Sequence, residues 1–221
     1  MYSSLPVALI GSLIFCISTP IASAQDSPYG DAISWYERSA VGGSMKAQYF
    51  LGLLYEKGAT PRVRSIEKSL YWFSKAAAQG HSRAQYKVAM SYQLGRGTGF
   101  DLKKATMWYR RAADQGLPEA QHNLAYILEN SKDSGGTLQE AAKWYRVAAT
   151  GGFGPSQLAL GFLYIRGVGV ARDLSEAWAW LRAAESRQIG RAGEAREALE
   201  NYLPPAQLLR ARVLAKSRIA R

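Results

Sequence analysis

The chain has 221 residues, 28 of them Lys or Arg against 17 Asp or Glu, for a net charge of +11, and its only cysteine is Cys16. A lone cysteine excludes a disulfide framework and a cysteine-based metal site, so stability must come from packing, for which roughly 200 residues supply one good-sized domain. The basic excess points to acidic partners: a protein face, an anionic polysaccharide or lipid headgroups.

Residues 1–24 carry no charge, and "LPVALIGSLIFCISTPIASA" is apolar and ends in the small residues Ala22-Ser23-Ala24. That pattern predicts a secretory leader with an A-x-A cleavage site, hence a periplasmic or secreted protein for which nucleic acid is not the natural partner. An uncleaved membrane anchor is the alternative, because about 20 apolar residues span a bilayer. A lipid anchor at Cys16 is set aside, since Phe15 precedes it where a small residue is needed. Export also fits the sulfur usage, because residues 25–221 hold no thiol to oxidise.

From residue 35 the chain repeats itself. Trp35, Trp72, Trp108, Trp144 and Trp180 are spaced 37, 36, 36 and 36 residues apart. Each is followed by Tyr36, Phe73, Tyr109, Tyr145 or Leu181, preceded at three residues by Ala32, Ser69, Ala105, Ala141 or Ala177, and trailed at four by Ser39, Ala76, Ala112, Ala148 or Ala184. Small, aromatic and small residues at −3, 0 and +4 share one helical face, which predicts a helix that a neighbour approaches closely while the tryptophan fills the space between turns. Gly43, Gly80, Gly116 and Gly152 follow at +8 as helix stops; in the fifth copy Gln188 stands there instead. Ala47-Gln48, Ala84-Gln85, Ala120-Gln121 and Ser156-Gln157 then open a second apolar stripe, so each unit reads as two antiparallel helices. Ser65, Asp101, Thr137 and Asp173, each seven residues before its tryptophan, are N-caps, and "TLQE" and "DLSE" read as capping boxes. Pro118 and Pro155 suit a first helical turn. The links "GRGTGF" and "RGVGVA" are glycine-rich turns; neither has the Lys-Ser/Thr or the preceding strand of a phosphate loop.

A hairpin of this size cannot bury its own apolar face, whereas stacked copies share a continuous core and need capped ends. The expected fold is all-α: a right-handed α/α solenoid of about five helix-turn-helix repeats over residues 25–203, closed by a basic capping helix over 204–221. In that last helix Arg210, Arg212, Lys216, Arg218 and Arg221 accompany an apolar stripe of Leu208, Leu209, Val213 and Leu214. A cap with its cations at the C-terminal end of the helix is the stronger reading, and a basic amphipathic helix on a membrane surface the weaker.

The segment "KATMWYRRAADQGLPEAQHNLAYILE" resembles a Sel1-like repeat, a bacterial relative of the tetratricopeptide repeat, and units starting near Asp31, Ser65, Asp101 and Thr137 match it, with a fifth from Asp173 matching in its first helix only. The tail "NYLPPAQLLRARVLAKSRIAR" resembles the closing helix of exported members, with Pro204 and Pro205 starting it. The resemblance implies a non-enzymatic scaffold or regulator that binds a protein partner, acidic or envelope-associated. The alternatives it brings are a peptidoglycan- or β-lactam-interacting envelope protein and a polysaccharide-assembly component. A cysteine-rich branch carries the peptidoglycan link, and this chain departs from it in having no cysteine after the leader.

In tetratricopeptide-like hairpins the first helix lines the concave side. Carried over, this places Tyr49 with Leu53, Tyr86 with Met90, His122 with Tyr126, and Leu158 with Phe162 on the inner face, each pair at i, i+4. That face reads as an aromatic and apolar binding groove, with Lys46, Lys57, Arg83 and Arg166 at its rim to steer an acidic partner; the alternative is that these side chains pack only against neighbouring helices. His81 reads as a loop histidine and His122 as a surface or groove histidine. No metal-ligand spacing, nucleophile motif or cofactor signature is present, so no catalytic residue, metal or cofactor is expected.

Overall fold

The protein is described by a computed structural model covering residues 28–58, 64–130 and 137–219. The leader expected over 1–24 lies outside the described residues. Among those described, eleven helices and no strand occur: α1 (Pro28–Val41), α2 (Met45–Lys57), α3 (Ile66–Ala78), α4 (Ser82–Leu94), α5 (Leu102–Asp114), α6 (Pro118–Asn130), α7 (Leu138–Thr150), α8 (Gly154–Arg166), α9 (Leu174–Ser186), α10 (Ala192–Tyr202) and α11 (Pro205–Ile219). Each helix packs on its chain neighbours, except that α11 passes over α10 and returns onto α9. This is an α/α solenoid, with the tryptophan helices (α1, α3, α5, α7, α9) alternating with the Ala-Gln helices (α2, α4, α6, α8).

The caps form where the residue types demand them. Ser65, Asp101 and Thr137 accept from the amides of Lys68, Lys104 and Glu140 at 3.2, 2.9 and 3.1 Å, and Asp173 accepts from the amides of Ser175 and Glu176 at 3.0 Å. The capping boxes are only half made. Glu140 sends its carboxylate to Arg110 and to the Trp144 indole instead of back to the cap, and Glu176 sends its carboxylate to Arg218. A charged partner draws each carboxylate more strongly than a neutral amide does.

The tryptophans are not the centre of the core. Of the five periodic ones, Trp35 is 56 % exposed, Trp72, Trp108 and Trp144 are half-buried, and Trp180 alone, at 6 %, is buried. The residue one place later takes the core position: Phe73, Tyr109, Tyr145 and Leu181 are all at 2 % exposure or less. The buried face therefore runs through −3, +1, +4 and +5, and the indole sits at its edge. Alanines at +4 and +5, such as Ala112 and Ala113, are also sealed, which lets the next helix approach.

Glutamine explains the Ala-Gln pair. Gln48, Gln85, Gln121 and Gln157 donate through Nε2 to the carbonyls of Ala40, Ala77, Ala113 and Ala149, at 3.1 to 3.2 Å, each eight residues back. Each thereby adds a second hydrogen bond to a carbonyl in the last turn of the preceding helix, which also accepts from the amide of Gly43, Gly80, Gly116 or Gly152. Gln79 and Gln115 then donate to the side-chain oxygens of Gln48 and Gln85 at 2.8 and 2.7 Å, stitching one repeat to the next. Close approach is enforced at Gly52 and Gly161, where a Cβ would come within 2.6 Å of the Phe73 ring and 2.9 Å of Leu181.

The closing module uses different means. Gln188 keeps the left-handed backbone of the glycines it replaces, at φ 58° against 84° to 98° at Gly43, Gly80, Gly116 and Gly152. In α11, Ala211 and Ala215 are buried and Leu208 and Leu214 half-buried, while Leu209 and Val213 of the expected stripe are 66 % and 62 % exposed. Three of its cations pair with acids of the same chain, Arg210 with Asp173 at 2.9 Å and Arg212 with Glu200 at 2.8 Å at the surface, and the mostly buried Arg218 with Glu176 at 2.5 Å. Lys216 is exposed, and Arg221 lies outside the described residues. Arg218 also lies 4.1 Å over the Trp180 ring. The helix is a cap.

Candidate functional site

The eight groove residues all lie on the Ala-Gln helices, yet they differ in what they do. Tyr49 packs against Phe73, with ring centroids 5.7 Å apart, and stacks on His81 at 4.3 Å. Leu53 joins the same cluster around Phe73, Ala76 and Val88. Tyr86 tilts against Tyr109 at 5.7 Å, and Met90 packs beside it on the central cluster. His122 lies 5.3 Å from Tyr145 and 5.5 Å from Phe153, and Leu158 packs on the cluster around Trp178 and Leu181. These six are half-buried and bind one repeat to the next. Tyr126 and Phe162, one repeat apart on α6 and α8, are 53 % and 37 % exposed. They are the two with aromatic surface free for a partner.

The face is also less apolar than the sequence suggested. Lys87, one residue after Tyr86, reaches Glu56 on the preceding Ala-Gln helix at 2.7 Å. Asn123, one residue after His122, donates to the Tyr109 hydroxyl at 3.1 Å, and that hydroxyl donates to Gln93 Oε1 at 2.6 Å. One repeat later the Tyr145 hydroxyl donates to Glu129 at 3.2 Å, and Arg166 holds the other oxygen of Glu129 at 2.6 Å. Burial pushes the Tyr109 and Tyr145 hydroxyls well above the usual phenol range, with the Glu129 charge adding at Tyr145. Phe73 has no hydroxyl, and Glu56 at the position matching Gln93 takes Lys87 instead. Lys87, Met90, Phe73 and Glu56 line a cleft of about 90 Å³ on this side of α2–α4. Lys87, Asn123 and Glu129 were missed by sequence reasoning; the +1 tyrosines, recurring with a polar residue sixteen positions earlier, were the available signal.

The two histidines separate. His81 is the N-cap of α4, its Nδ1 accepting from the Ala84 amide at 3.2 Å, so it holds a helix end instead of sitting idle in a loop. His122 Nδ1 lies 2.9 Å from the hydroxyl of the fully buried Ser156. Burial lowers the pKa of both imidazoles. Among the described residues no group of three or more His, Cys, Asp or Glu is placed to hold a metal ion. Of the rim cations, Lys46, Lys57 and Arg83 are exposed, and Arg166 is committed to Glu129.

Stacked two-helix units joined by a periodic glutamine ladder define an α-helical repeat protein. Four consecutive Sel1 repeats match residues 46–81, 82–117, 118–153 and 154–187, and the chain belongs to the Sel1 repeat family. Each family repeat begins in an Ala-Gln helix and ends after a tryptophan helix, one helix out of phase with the units read from the caps. Two solved structures are similar to the chain. The first is c5321, a protective antigen present in uropathogenic Escherichia coli strains displaying an SLR fold: 36 % identity and a TM-score of 0.77 over 88 % of this chain and 41 % of that one. The second is a Sel1 repeat protein from Oxalobacter formigenes: 35 % identity and a TM-score of 0.67 over 76 % of this chain and 48 % of that one. The chain thus spans less than half the length of either. No curated protein matches it. Sel1 repeat proteins commonly mediate protein–protein interaction and are generally non-catalytic scaffolds. Among the described residues no helix is long and apolar enough to cross a membrane.

Proposed function

We propose that the chain is a non-enzymatic scaffold or regulator of the periplasm that holds an apolar segment or helix of a partner protein on the Ala-Gln face. The observation that carries this is the pair Tyr126 and Phe162, large aromatics left 53 % and 37 % exposed at equivalent positions of consecutive repeats while their neighbours are packed away. Aromatic anchors in such a row suit an amphipathic helix laid across the repeats. The exposed Lys46, Lys57 and Arg83 favour an acidic partner by steering its approach. Export rests on the uncharged apolar leader and its Ala-Ser-Ala end.

The test is a Tyr126→Ala, Phe162→Ala double variant, chosen because both side chains are exposed and the helical fold tolerates their loss. Proteins cross-linked in the periplasm to the wild-type chain should be lost from the variant while its circular dichroism is unchanged. An identical cross-linking profile would remove the aromatic face from the function, and cleavage-site mapping at Ala24 checks the compartment.

A further inference from the structure

The opposite layer of the solenoid carries a surface of different chemistry. On a tryptophan helix the residues at −4, −1 and +3 form one outward stripe, since these offsets fall on one side of a helix. On α3 they are Lys68, Tyr71 and Lys75, and on α5 they are Lys104, Met107 and Arg111. All six are exposed, with Tyr71 at 53 % and Met107 at 42 %. Within each stripe the outer cations are seven residues apart, about 10.5 Å along the helix, and both helices pack on α4. The two stripes together present four cations and two exposed apolar side chains. On α7 the pattern breaks: Glu140, Lys143 and Val147 stand at these positions, with Glu140 paired to Arg110 of α5. On α9 the rows end, because Ala179 and Ala183 are fully buried and Glu176 is taken by Arg218 of α11.

The cations are held outward by the rings beside them. Lys75 sits 5.5 Å over Tyr71, and Arg111 sits 4.6 Å over Trp108. The acids nearby are largely committed: Asp101 caps α5 and holds Lys104 at 3.3 Å, Glu140 pairs with Arg110, and Glu67 accepts from Ser65. Glu67 and Asp114 are both exposed. Meanwhile three cations of α11, the helix the sequence offered for membrane contact, are spent on internal pairs.

We propose that the outward face of α3 and α5 docks on an anionic lipid surface. Flexible cations around partly exposed Tyr and Met suit the headgroup region, where ammonium and guanidinium groups meet lipid phosphates and the apolar side chains enter the interface. The depression on this face beside Met107 and Arg111, of about 370 Å³, is shallow and also lined by Asp114, so the exposed stripes suit a broad anionic surface better than a single small anion. The arrangement stands apart from the Ala-Gln face, so the solenoid can rest on a membrane with its partner-binding side still open.

The experiment uses the full chain, with co-sedimentation on vesicles of neutral phosphatidylcholine and of phosphatidylcholine with phosphatidylglycerol; the neutral arm measures any contribution of the leader. The wild-type chain should partition more strongly to the anionic vesicles, by about fivefold for each engaged cation. The quadruple variant Lys68→Glu, Lys75→Glu, Lys104→Glu, Arg111→Glu should lose that preference, while Lys216→Glu on α11 keeps it. Tyr71→Ala with Met107→Ala, which leaves the charge unaltered, should weaken anionic-vesicle binding further if the side chains enter the interface. Equal partitioning of the wild-type chain and the quadruple variant overturns the proposal. Salt-sensitive retention on a soluble anionic polysaccharide without an anionic-vesicle preference overturns it too, in favour of a polymer ligand.

Discussion

The internal repeats and the closing module solve the same packing problem with different chemistry. Between α2 and α8 the recurring device is neutral, with alanines at contact distance, one buried aromatic per tryptophan helix and glutamines bonded to helix-end carbonyls, and single ion pairs (Lys87–Glu56, Arg110–Glu140, Arg166–Glu129) bridge successive repeats beside it. From α9 onward the joints are charged and bulky. Trp178 and Trp180 are both buried, Arg196 bridges Glu185 at 2.8 Å and also pairs with Glu200, and α11 is clamped through Asp173, Glu176 and Glu200. An internal repeat is covered on both sides by near-copies of itself, so the same small neutral device recurs from joint to joint, with at most one ion pair bridging beside it. The last repeat has no copy to follow, and its cover is an unrelated helix whose position must be specified by directional ion pairs.

The comparison can be broken first at an internal core position. Tyr109→Ala removes a fully buried ring and should cost about 3–5 kcal/mol, well beyond Trp108→Ala at the core edge; chemical denaturation of the two variants ranks them. At the closing joint, Glu176→Gln leaves Arg218 mostly buried without its carboxylate and should cost about 3 kcal/mol, with α11 amides losing hydrogen-exchange protection first. Gln85→Leu removes the side-chain bonds to the Ala77 carbonyl and from Gln115, leaving that carbonyl the Gly80 amide alone, a loss of about 1 kcal/mol that should hold at high salt, unlike the exposed Arg210–Asp173 pair. Gln188→Gly sharpens the contrast in the other direction. It relieves a left-handed backbone that the internal repeats give to glycine, and the melting temperature should rise by the equivalent of about 1 kcal/mol.

The smallest effect is in pH. His81 and His122 have pKa values lowered on folding, with burial the largest cause, so below pH 6.5 the unfolded chain takes up protons that the folded chain refuses. Stability is full above that pH and declines as pH falls through about 6.5 toward the folded values. For His81 the proton would also occupy the nitrogen that caps α4. His81→Asn, which retains a capping oxygen, should flatten the decline between pH 7 and 5 in a denaturant titration; an unchanged slope would assign the dependence elsewhere.

The candidate face was half legible in advance. The spacing put Tyr49, Tyr86, His122 and Leu158 at one position and Leu53, Met90, Tyr126 and Phe162 at the next, and the structure keeps them on the Ala-Gln helices. Periodicity could not say which remain accessible, because that depends on the residue facing them from the next repeat: Tyr109 covers Tyr86, whereas Tyr126 stays open. Nor could it reveal Lys87 and Asn123 as parts of the face, since their partners, Glu56 and Tyr109, are 31 and 14 residues away.

By itself the sequence determined the helices, their order, their caps and the repeat family, because capping, glycine stops and apolar periodicity act within a few residues of one another. Only the tertiary structure decided that Phe73, Tyr109 and Tyr145, not the tryptophans before them, fill the core, and that Arg210, Arg212 and Arg218 of the last helix pair with Asp173, Glu200 and Glu176. Those choices depend on the distance and charge of side chains a full repeat away, which no local pattern encodes.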